Sequence, residues 1–431
     1  TPGEELSTGT VMVFCNDASG YSESKLNSWK KAGYTSLGFM TALGRDTASY
    51  YVSGKYDGET HYDIVQKDNT NKDVDHSAGT PYVVPTLGFC DYLINMMSLA
   101  CERDYKYIFL EEPDYWAKSG YSEAFKNEWK DYYGSDWVDP ESSLEAQYMA
   151  AELKAYIMTR AYEYIGTELK KVYPEVELIV CTHSSASYSH NTPIIANNYD
   201  ILNSPAVDGL VAQAWSNTSN VTMTVAGVTG KMPFEFSYME YSELINLAKS
   251  NGKKVFTLAD PLADGVATED QIRPIYEENI IAQFINPNID SFEVMPWPSR
   301  AFVTVSGWYK ALQENIIKIS GELSSCSSTA RTGSTGIGCL MSYTAAVNNT
   351  IAMPAFTSLC ISLINRGVPV NVLTLEGLND PNYLDGIHTL IVSYDHIKPL
   401  TSTYNNALAQ WVKNGGSLIY VGGYNEHQEA E

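Results

Sequence analysis

The sequence predicts an α/β protein in which a (β/α)8 TIM barrel is followed by a smaller α/β domain. Eight short apolar runs, most of them followed by a helical pattern, occupy about the first 310 residues, a length that suits such a barrel. A segment rich in Ser, Thr and Gly then precedes a second, shorter alternation of strand and helix patterns. A doubly wound open sheet is the alternative for the first part, but an eightfold alternation that ends with a helix favours closure of the sheet.

The predicted barrel strands are apolar stretches that end in polar, acidic or aromatic residues. Apolar runs without alternation are typical of parallel strands buried on both faces. The clearest one covers 107–113, where four apolar or aromatic residues precede Glu111, Glu112 and Pro113, and the proline ends the run. In chain order the eight predicted strands are 10–15, 34–40, 81–87, 107–113, 176–182, 209–214, 254–258 and 290–295.

Helical patterns and their end signals lie between these strands. Gly33 and Gly252 are predicted to stop two helices. Ser142 and Glu145 form a predicted capping box before the longest helix, whose apolar positions recur in steps of three and four over 151–169. The other predicted helices are 22–32, 90–103, 241–250, 272–284 and 306–319, and the predicted loops are 44–80, 114–137 and 216–230, the last with a hairpin as the alternative.

We predict a barrel domain over 1–322, a linker over 323–335 and a second α/β domain over 336–431. The second domain has no G-x-G-x-x-G after its first strand and no nucleophile elbow, so we expect a structural or assembly role for it. Its end directly follows a predicted strand, and we expect it to be truncated there. Its predicted strands are 336–341, 368–373, 389–392 and 417–421, and its predicted helices are 354–366 and 403–414.

The composition limits the kinds of partner that the chain is expected to bind. The 28 basic and 51 acidic residues give a formal net charge of −23, which argues against nucleic acid and anionic membrane surfaces as partners. The sequence contains no apolar run of about 18 residues, so we expect no membrane insertion. The seven cysteines form no C-x-x-C pair, so we predict no structural zinc and no other metal or cofactor. The 31 tyrosines and eight tryptophans suit the binding of carbohydrate, whose C–H faces stack on flat side chains.

Ionisable and aromatic residues are concentrated at the predicted carboxyl ends of the strands. In a (β/α)8 barrel these ends surround one mouth, where active sites are built. Two acids at the end of a buried strand are costly unless they are solvated, paired or used in chemistry. The residues at these ends are Asp17, Glu111, Glu112, His183, Trp215, Asp260, Glu293, Trp297 and Arg300, and Trp116 lies in the loop after the fourth strand.

Carboxylates dominate this set, whereas a Ser-His-Asp or Cys-His set is not apparent. Glycoside hydrolysis requires two carboxyl groups, one that donates a proton and one that acts as nucleophile or base. A like charge next to the proton donor would raise its pKa, and Glu111 beside Glu112 offers such a neighbour. Adjacent strand residues point to opposite faces, however, so the sequence alone does not bring the two together.

The stretch Leu110-Glu111-Glu112-Pro113 resembles the Asn-Glu-Pro motif of the retaining glycoside hydrolase clan that includes the family 42 β-galactosidases. The resemblance implies that Glu112 is the acid/base and that an acid on strand seven is the nucleophile, here Asp260. Two departures from the pattern are Glu111 in place of Asn and Asp260 in place of Glu. Glu293 is the chief rival as nucleophile, Glu111 is a further catalytic candidate, and Glu235 and Glu240 could enter from the loop after strand six.

The stretch 411–418 is similar to the β-galactosidase trimerisation domain, which has a glutamine-amidotransferase-like, flavodoxin-like fold without catalytic residues. This similarity implies a homo-oligomer. The aromatic and polar residues predicted to bind substrate are Asp17, Trp116, His183, Trp215, Trp297 and Arg300. Each has a structural alternative, such as core packing for the tryptophans and for His183, or a salt bridge between Arg300 and Glu293.

These observations favour a secreted bacterial glycosidase that acts on plant or host glycans by a retaining mechanism. We therefore expect an extracellular or cell-surface location. A non-catalytic carbohydrate-binding or scaffold protein with a degenerate barrel is the alternative. A metal-dependent hydrolase is a third hypothesis, but His183 is the only histidine at a predicted strand end, which gives it weak support.

Overall fold

The computed structural model describes residues 10–14, 23–190, 193–220, 222–260, 269–286, 289–293, 306–325, 336–395 and 397–422. The chain divides into two compact units. The first unit comprises Thr1–Thr182 with Pro193–Gly209, and the second comprises His183–Thr192 with Leu210–Glu431. Residues 326–335 of the predicted linker lie outside the described residues, and the predicted domain boundaries stay a prediction.

Strands and helices alternate along most of the described chain. The strands are β1 Thr10–Phe14, β2 Ser36–Ala42, β3 Asp75–Ser77, β4 Thr80–Pro81, β5 Tyr107–Glu111, β6 Glu177–Thr182, β7 Gly209–Trp215, β8 Thr222–Val225, β9 Val228–Lys231, β10 Lys254–Asp260, β11 Ser291–Glu293, β12 Ile337–Met341, β13 Asn371–Thr374, β14 Thr389–Val392 and β15 Ser417–Tyr420. The helices are α1 Glu23–Lys31, α2 Leu87–Cys101, α3 Glu123–Tyr133, α4 Leu144–Val172, α5 Ser185–His190, α6 Asn198–Asn203, α7 Ser216–Ser219, α8 Pro233–Ser250, α9 Glu269–Ile285, α10 Ser306–Ser325, α11 Asn349–Ile364 and α12 Ser402–Lys413.

The fold class is confirmed as an α/β fold with a barrel-type sheet and a smaller α/β sheet. Seven strands form one sheet in the order β1-β2-β5-β6-β7-β10-β11, and β1–β2, β2–β5, β5–β6 and β10–β11 pair in parallel. Four strands form a second parallel sheet in the order β13-β12-β14-β15. This second order is that of a flavodoxin-like domain, as the sequence predicted.

The prediction of a third barrel strand over 81–87 is wrong. In the described residues β2 pairs directly with β5, and the sheet has seven strands rather than eight. Residues 81–84 instead join the polar excursion, because the N–H groups of Val83 and Val84 donate to the carbonyls of Gly44 and Ile64 at 2.9 and 2.7 Å. A short apolar run has the same pattern in either position, so the local sequence does not distinguish them.

Several predicted helix and loop boundaries also need correction. The N-cap of α4 is Ser143, whose side chain accepts from the N–H of Ala146, whereas the hydroxyl of the predicted cap Ser142 donates to the carbonyl of Asp139. The helix predicted over 241–250 begins earlier, because Pro233 occupies its first turn, where no N–H is needed. The loop predicted over 114–137 contains α3, and the hairpin alternative over 216–230 is confirmed as β8 and β9.

In the first unit, β5 is the central positioning element. Ile108, Phe109 and Leu110 are buried between β2 and β6, as expected for a strand covered on both faces. The register places Glu111 level with Ala42 of β2 and with Cys181 of β6. The carboxyl end of β5 therefore lies at one edge of the sheet together with the ends of its neighbours.

In the second unit, α8 and the β8–β9 hairpin share one hydrophobic core with the four-stranded sheet. Phe236 and Met239 of α8 are buried in the same cluster as Cys339 of β12 and Val372 of β13. The backbone of Val372 is also held by α8, because its N–H donates to Ser242 Oγ at 3.0 Å and its carbonyl accepts from Asn246 Nδ2 at 3.1 Å. Side chains of α8 thus satisfy backbone groups of this edge strand.

None of the described helices is long and apolar enough to cross a membrane.

Candidate active site

The two adjacent acids lie where β5 ends. Glu111 is the last residue of the strand, and the N–H of Glu112 donates to the carbonyl of Cys181 at 2.8 Å. Glu112 has a φ of +47°, a left-handed conformation that costs a residue with a Cβ on the order of 1–3 kcal/mol. This turn breaks the strand alternation, and the two acids that a straight strand would point apart reach a common partner.

That partner is Arg45, which lies just after β2. Its Nη2 atom pairs with Glu111, and its Nη1 atom lies 2.8 Å from Glu112 Oε2 and 3.1 Å from Asp114 Oδ2. Burial acts to lower the pKa of Arg45, but the charges of Glu111, Glu112 and Asp114 outweigh it and hold that pKa well above its usual value. One guanidinium therefore compensates an acidic cluster with three carboxyl groups.

The third acid of this cluster, Asp114, is the most buried of the three. Burial and then the charge of Glu112 raise the pKa of Asp114 well above its usual value, and Arg45 offsets this only in part. Asp114 also forms a side-chain hydrogen bond with Glu112. With one cation among three carboxyl groups, a bound proton reduces the excess of negative charge.

Close packing fixes Asp114 in this place. A Cβ atom on Gly44 would lie 2.7 Å from Asp114 Cβ and 2.9 Å from its backbone nitrogen, so only glycine fits there. Gln66 holds the other side: its Nε2 donates to the carbonyls of Val83 and Asp114 at 3.0 and 2.9 Å. Its Oε1 accepts from the N–H of Trp116 at 3.1 Å and also from Ser119, so the buried amide is fully hydrogen-bonded.

Trp116 lies close to this acidic cluster. Its half-buried ring packs edge-on against Tyr82 with centroids 5.6 Å apart, and Lys118 Nζ lies 5.0 Å above the tryptophan ring. Burial and then the charges of Asp114 and Glu112 raise the pKa of Tyr82, which places that phenol beside the acids. The predicted role of Trp116 in binding a sugar ring stays a prediction.

The second unit contains the other predicted acids. Asp260 is the last residue of β10 and is buried, and its carbonyl accepts from Ser216 Oγ at 2.5 Å. Glu293 of β11 is half-buried and pairs in register with Leu258, two residues before Asp260. Thr257 accepts a hydrogen bond from Gln283 of α9, so its side chain faces the helices. Because side chains alternate along a strand, Leu258 and Asp260 point to the opposite face. Glu293 lies level with Leu258 and points the same way. Asp260 and Glu293 therefore share the inner face of the sheet.

The structure describes only some of the remaining residues that were predicted to form the site. His183 follows β6, is buried, and packs edge-on against Tyr188 at 5.5 Å. Trp215 ends β7 and is half-buried. Their roles in binding substrate stay predictions. Asp17, Trp297 and Arg300 lie outside the described residues.

Glu240 and Glu243 of α8 are fully buried in the second unit. Glu243 Oε2 accepts from the N–H of Ser185, the first residue of α5, at 3.0 Å. Burial raises the pKa of Glu243 to about 7, and the hydrogen bonds from Ser185 and Ala186 oppose that shift only in part. Glu243 thus ties α8 to the segment that carries His183, a link that the sequence analysis did not predict.

Among the described residues, no group of three or more His, Cys, Asp or Glu side chains could hold a metal ion.

Arg45 and Asp114 are functional candidates that sequence reasoning missed. Asp114 stood in a predicted loop, and Arg45 stood at the start of a polar excursion. The available signal was charge: Arg45 is a basic residue directly after a strand end in a chain with 28 basic and 51 acidic residues. A cation at an acid-rich edge of a parallel sheet points to a partner for those acids.

Comparison with known proteins identifies solved structures that share the fold of this chain. No family model matches the sequence, and no curated protein matches it. Solved structures do match. The chain shares the fold of family 42 glycoside hydrolases. A polyextremophilic β-galactosidase from the haloarchaeon Halorubrum lacusprofundi aligns with a TM-score of 0.64 at 11% identity, over 92% of this chain and 64% of that one.

Two further structures give the same result. A catalytic mutant of a family 42 β-galactosidase from G. stearothermophilus aligns with a TM-score of 0.63 at 12% identity, over 96% of this chain and 66% of that one. An exo-carrageenase of family 42 from Bacteroides ovatus aligns with a TM-score of 0.58 at 11% identity, over 98% of this chain and 66% of that one. The chain thus spans 62–66% of the length of the first three structures matched. At such identities the likeness establishes the fold, and function has to be argued from the residues.

Proposed function

We propose that this protein is a glycoside hydrolase in which Glu112 is the general acid/base. The observation that carries the proposal is the conformation of Glu112, which turns out of β5 at a φ of +47° and lies on Arg45 at 2.8 Å. Strained backbone at the carboxyl end of a parallel strand is a frequent mark of an active site. The fold likeness to β-galactosidases and an exo-carrageenase supports the same reaction class.

The nucleophile in this proposal is Asp260, and Glu293 is its rival on the same face of the sheet. Attack by a carboxylate on the anomeric carbon gives a glycosyl-enzyme intermediate, which water hydrolyses with retention of configuration. Retention requires the two carboxyl groups to lie about 5–5.5 Å apart, whereas about 6.5–9.5 Å leads to inversion. Proton NMR of the first anomer released distinguishes the two outcomes directly.

The proposed substrates are plant or host glycans, and the neighbours described as β-galactosidases make β-galactosides the first to test. Half-buried Trp116 and Trp215 would supply flat faces for sugar rings. We also propose an extracellular or cell-surface location in a bacterium, and a homo-oligomer formed through the four-stranded domain. The proposed location rests on the acidity of the chain, and the proposed homo-oligomer rests on the resemblance of the second domain to the β-galactosidase trimerisation domain.

The test is hydrolysis of a broad panel of aryl glycosides and glycans by the wild type and by Glu112→Gln. We expect the wild type to cleave one linkage and the variant to lose that activity by about 10²–10⁴-fold, since protonation of the leaving oxygen is removed. Glu128→Gln is the matched control, because Glu128 also pairs with an arginine, Arg160, at 2.6 Å, in the same unit. Its activity should stay within a few-fold of the wild type. Activity that survives Glu112→Gln would contradict the assignment.

A second candidate is a carbohydrate-binding or scaffold protein without catalysis. The observation in its favour is that Glu111, Glu112 and Asp114 all pair with Arg45, as acids with a purely structural role would. Cleavage of no substrate in the panel, together with binding on a glycan array, would favour this candidate.

A further inference from the structure

The carboxyl groups of Glu112 and Asp114 both contact the same nitrogen atom of Arg45. Arg45 Nη1 lies 2.8 Å from Glu112 Oε2 and 3.1 Å from Asp114 Oδ2, and the two acids also bond to each other. Their backbones form one tight turn, since the N–H of Asp114 donates to the carbonyl of Glu112 at 2.8 Å. Two carboxyl groups in such contact share one proton more favourably than both ionise, and they titrate as a pair.

The two members of this pair differ in access to solvent. The side chain of Asp114 is 6% exposed, and that of Glu112 is 22% exposed. Gly44 packs against Asp114 Cβ, and Gln66 donates to the backbone carbonyl of Asp114. A proton on Asp114 therefore reaches solvent or a substrate most directly through Glu112.

We infer that Asp114 is a positioning residue that stores the proton which Glu112 delivers to the leaving oxygen of a glycoside. The inference rests on the proposed function of Glu112. In the first step, the O–H bond of Asp114 breaks as one forms on Glu112, and Glu112 passes that single proton to the glycosidic oxygen. The bond from that oxygen to the anomeric carbon breaks as the nucleophile bonds to the carbon. When water later bonds to the anomeric carbon and displaces the nucleophile, one proton of the water returns through Glu112 to Asp114.

The groups around Asp114 favour this storage. Arg45 and Glu111 lie on one side of it, and Tyr82 and Tyr162 face it from the excursion and from α4. Burial raises the pKa of both tyrosines, so at neutral pH they add no charge. Arg45 is thus the cation that faces the pair in the described residues, and it stabilises Asp114 as a carboxylate while the proton is on the substrate.

The experiment compares Asp114→Asn with the wild type. The amide of the variant still donates a hydrogen bond to Glu112 but has no proton to release. We expect the basic limb of the kcat/KM profile to move to lower pH by about one unit or more, because the lost acid shared its proton with Glu112. Activity on aryl glycosides with very acidic leaving groups should change least, since these need little protonation.

Infrared spectroscopy provides a second readout that needs no substrate. The infrared difference spectrum between the wild type and Asp114→Asn at neutral pH should contain the carbonyl stretching band of the protonated Asp114 carboxyl group, because the contribution of Glu243, whose pKa is about 7, is the same in both proteins and cancels. Asp208→Asn is the matched control, because Asp208 lies in the same unit and pairs with Lys170 at 2.7 Å. It should leave both the band and the pH profile unchanged.

The outcomes separate the inference from the proposed function. A superimposable pH profile for Asp114→Asn, or a difference spectrum without that carbonyl band, overturns proton storage on Asp114. A wild type that hydrolyses nothing overturns the proposed function instead, and the infrared band then decides on its own whether Asp114 carries the proton.

Discussion

The two units of this protein bury acids in opposite ways. In the first unit, Glu111, Glu112 and Asp114 surround Arg45, and the cation compensates part of their charge. In the second unit, Glu243 accepts hydrogen bonds from neutral groups of Ser185 and Ala186. Its pKa of about 7 is raised mainly by burial. A guanidinium permits charged acids at a strand end, whereas burial among neutral donors favours the protonated form.

This difference has a functional meaning. A cluster that keeps net negative charge and a mobile proton suits proton transfer and the stabilisation of developing positive charge on a sugar ring. A single buried acid between α8 and α5 suits the positioning of a segment. The following changes test this contrast in order of expected effect.

The largest effect is expected for Arg45→Met. Removal of the cation leaves two buried acids and Glu112 without compensation, so the free energy of unfolding at neutral pH should fall by about 3–5 kcal/mol. Most of this loss should vanish near pH 4, where carboxylates take up protons. Denaturant unfolding at the two pH values measures both effects.

Arg160→Met is the control for this change. Arg160 pairs with Glu128 through both guanidinium nitrogens, but its side chain is more exposed than that of Arg45. We expect a loss of roughly 1 kcal/mol. Equal losses in the two variants, or a loss for Arg45→Met that persists at low pH, would show that the cluster is not held by charge.

An intermediate effect is expected for Glu243→Gln, and it depends on pH. A pKa raised from 4.5 to about 7 means that the folded protein binds a proton which the unfolded chain has lost in that range. The stability of the wild type therefore falls as pH rises from about 4.5 to about 7 and then levels off, by at most about 3 kcal/mol from this group. Glu243→Gln should lack this slope.

Unfolding curves at a series of pH values measure the difference between the two proteins, which should widen in favour of Glu243→Gln as pH rises. Glu145→Gln serves as the control, because Glu145 is an exposed acid in the first turn of α4. It should reproduce the wild-type slope. A Glu243→Gln variant that follows the same slope would mean that Glu243 is ionised throughout, and the contrast between the units would fail.

The smallest effect is expected for Ser242→Ala. The change leaves the N–H of Val372 on edge strand β13 without its acceptor, which should lower the free energy of unfolding by about 1–2 kcal/mol. Ser250→Ala on the same helix is the control, because Ser250 bonds to its near neighbours Leu247 and Asn251, and its loss should be a few tenths of a kcal/mol. Similar values in both variants would mean that α8 does not hold β13 through this bond.

The sequence by itself determined the features that depend on short stretches. The apolar run of β5 with acids at its end, the glycine stop at Gly33 after α1 and the strands of the four-stranded sheet follow from local pattern and turn chemistry. Glu112 could be singled out for the same reason, because acids after a buried strand are costly unless they are used.

Only the tertiary structure decided which groups meet. Arg45 lies 67 residues before Glu112 in the sequence, and Gln66 lies 48 residues before Asp114. Residues 81–84 could not be assigned to the excursion rather than to the sheet, since both positions bury the same apolar side chains. Long-range pairing is set by packing and by the compensation of buried charge, and neither leaves a period in the local sequence.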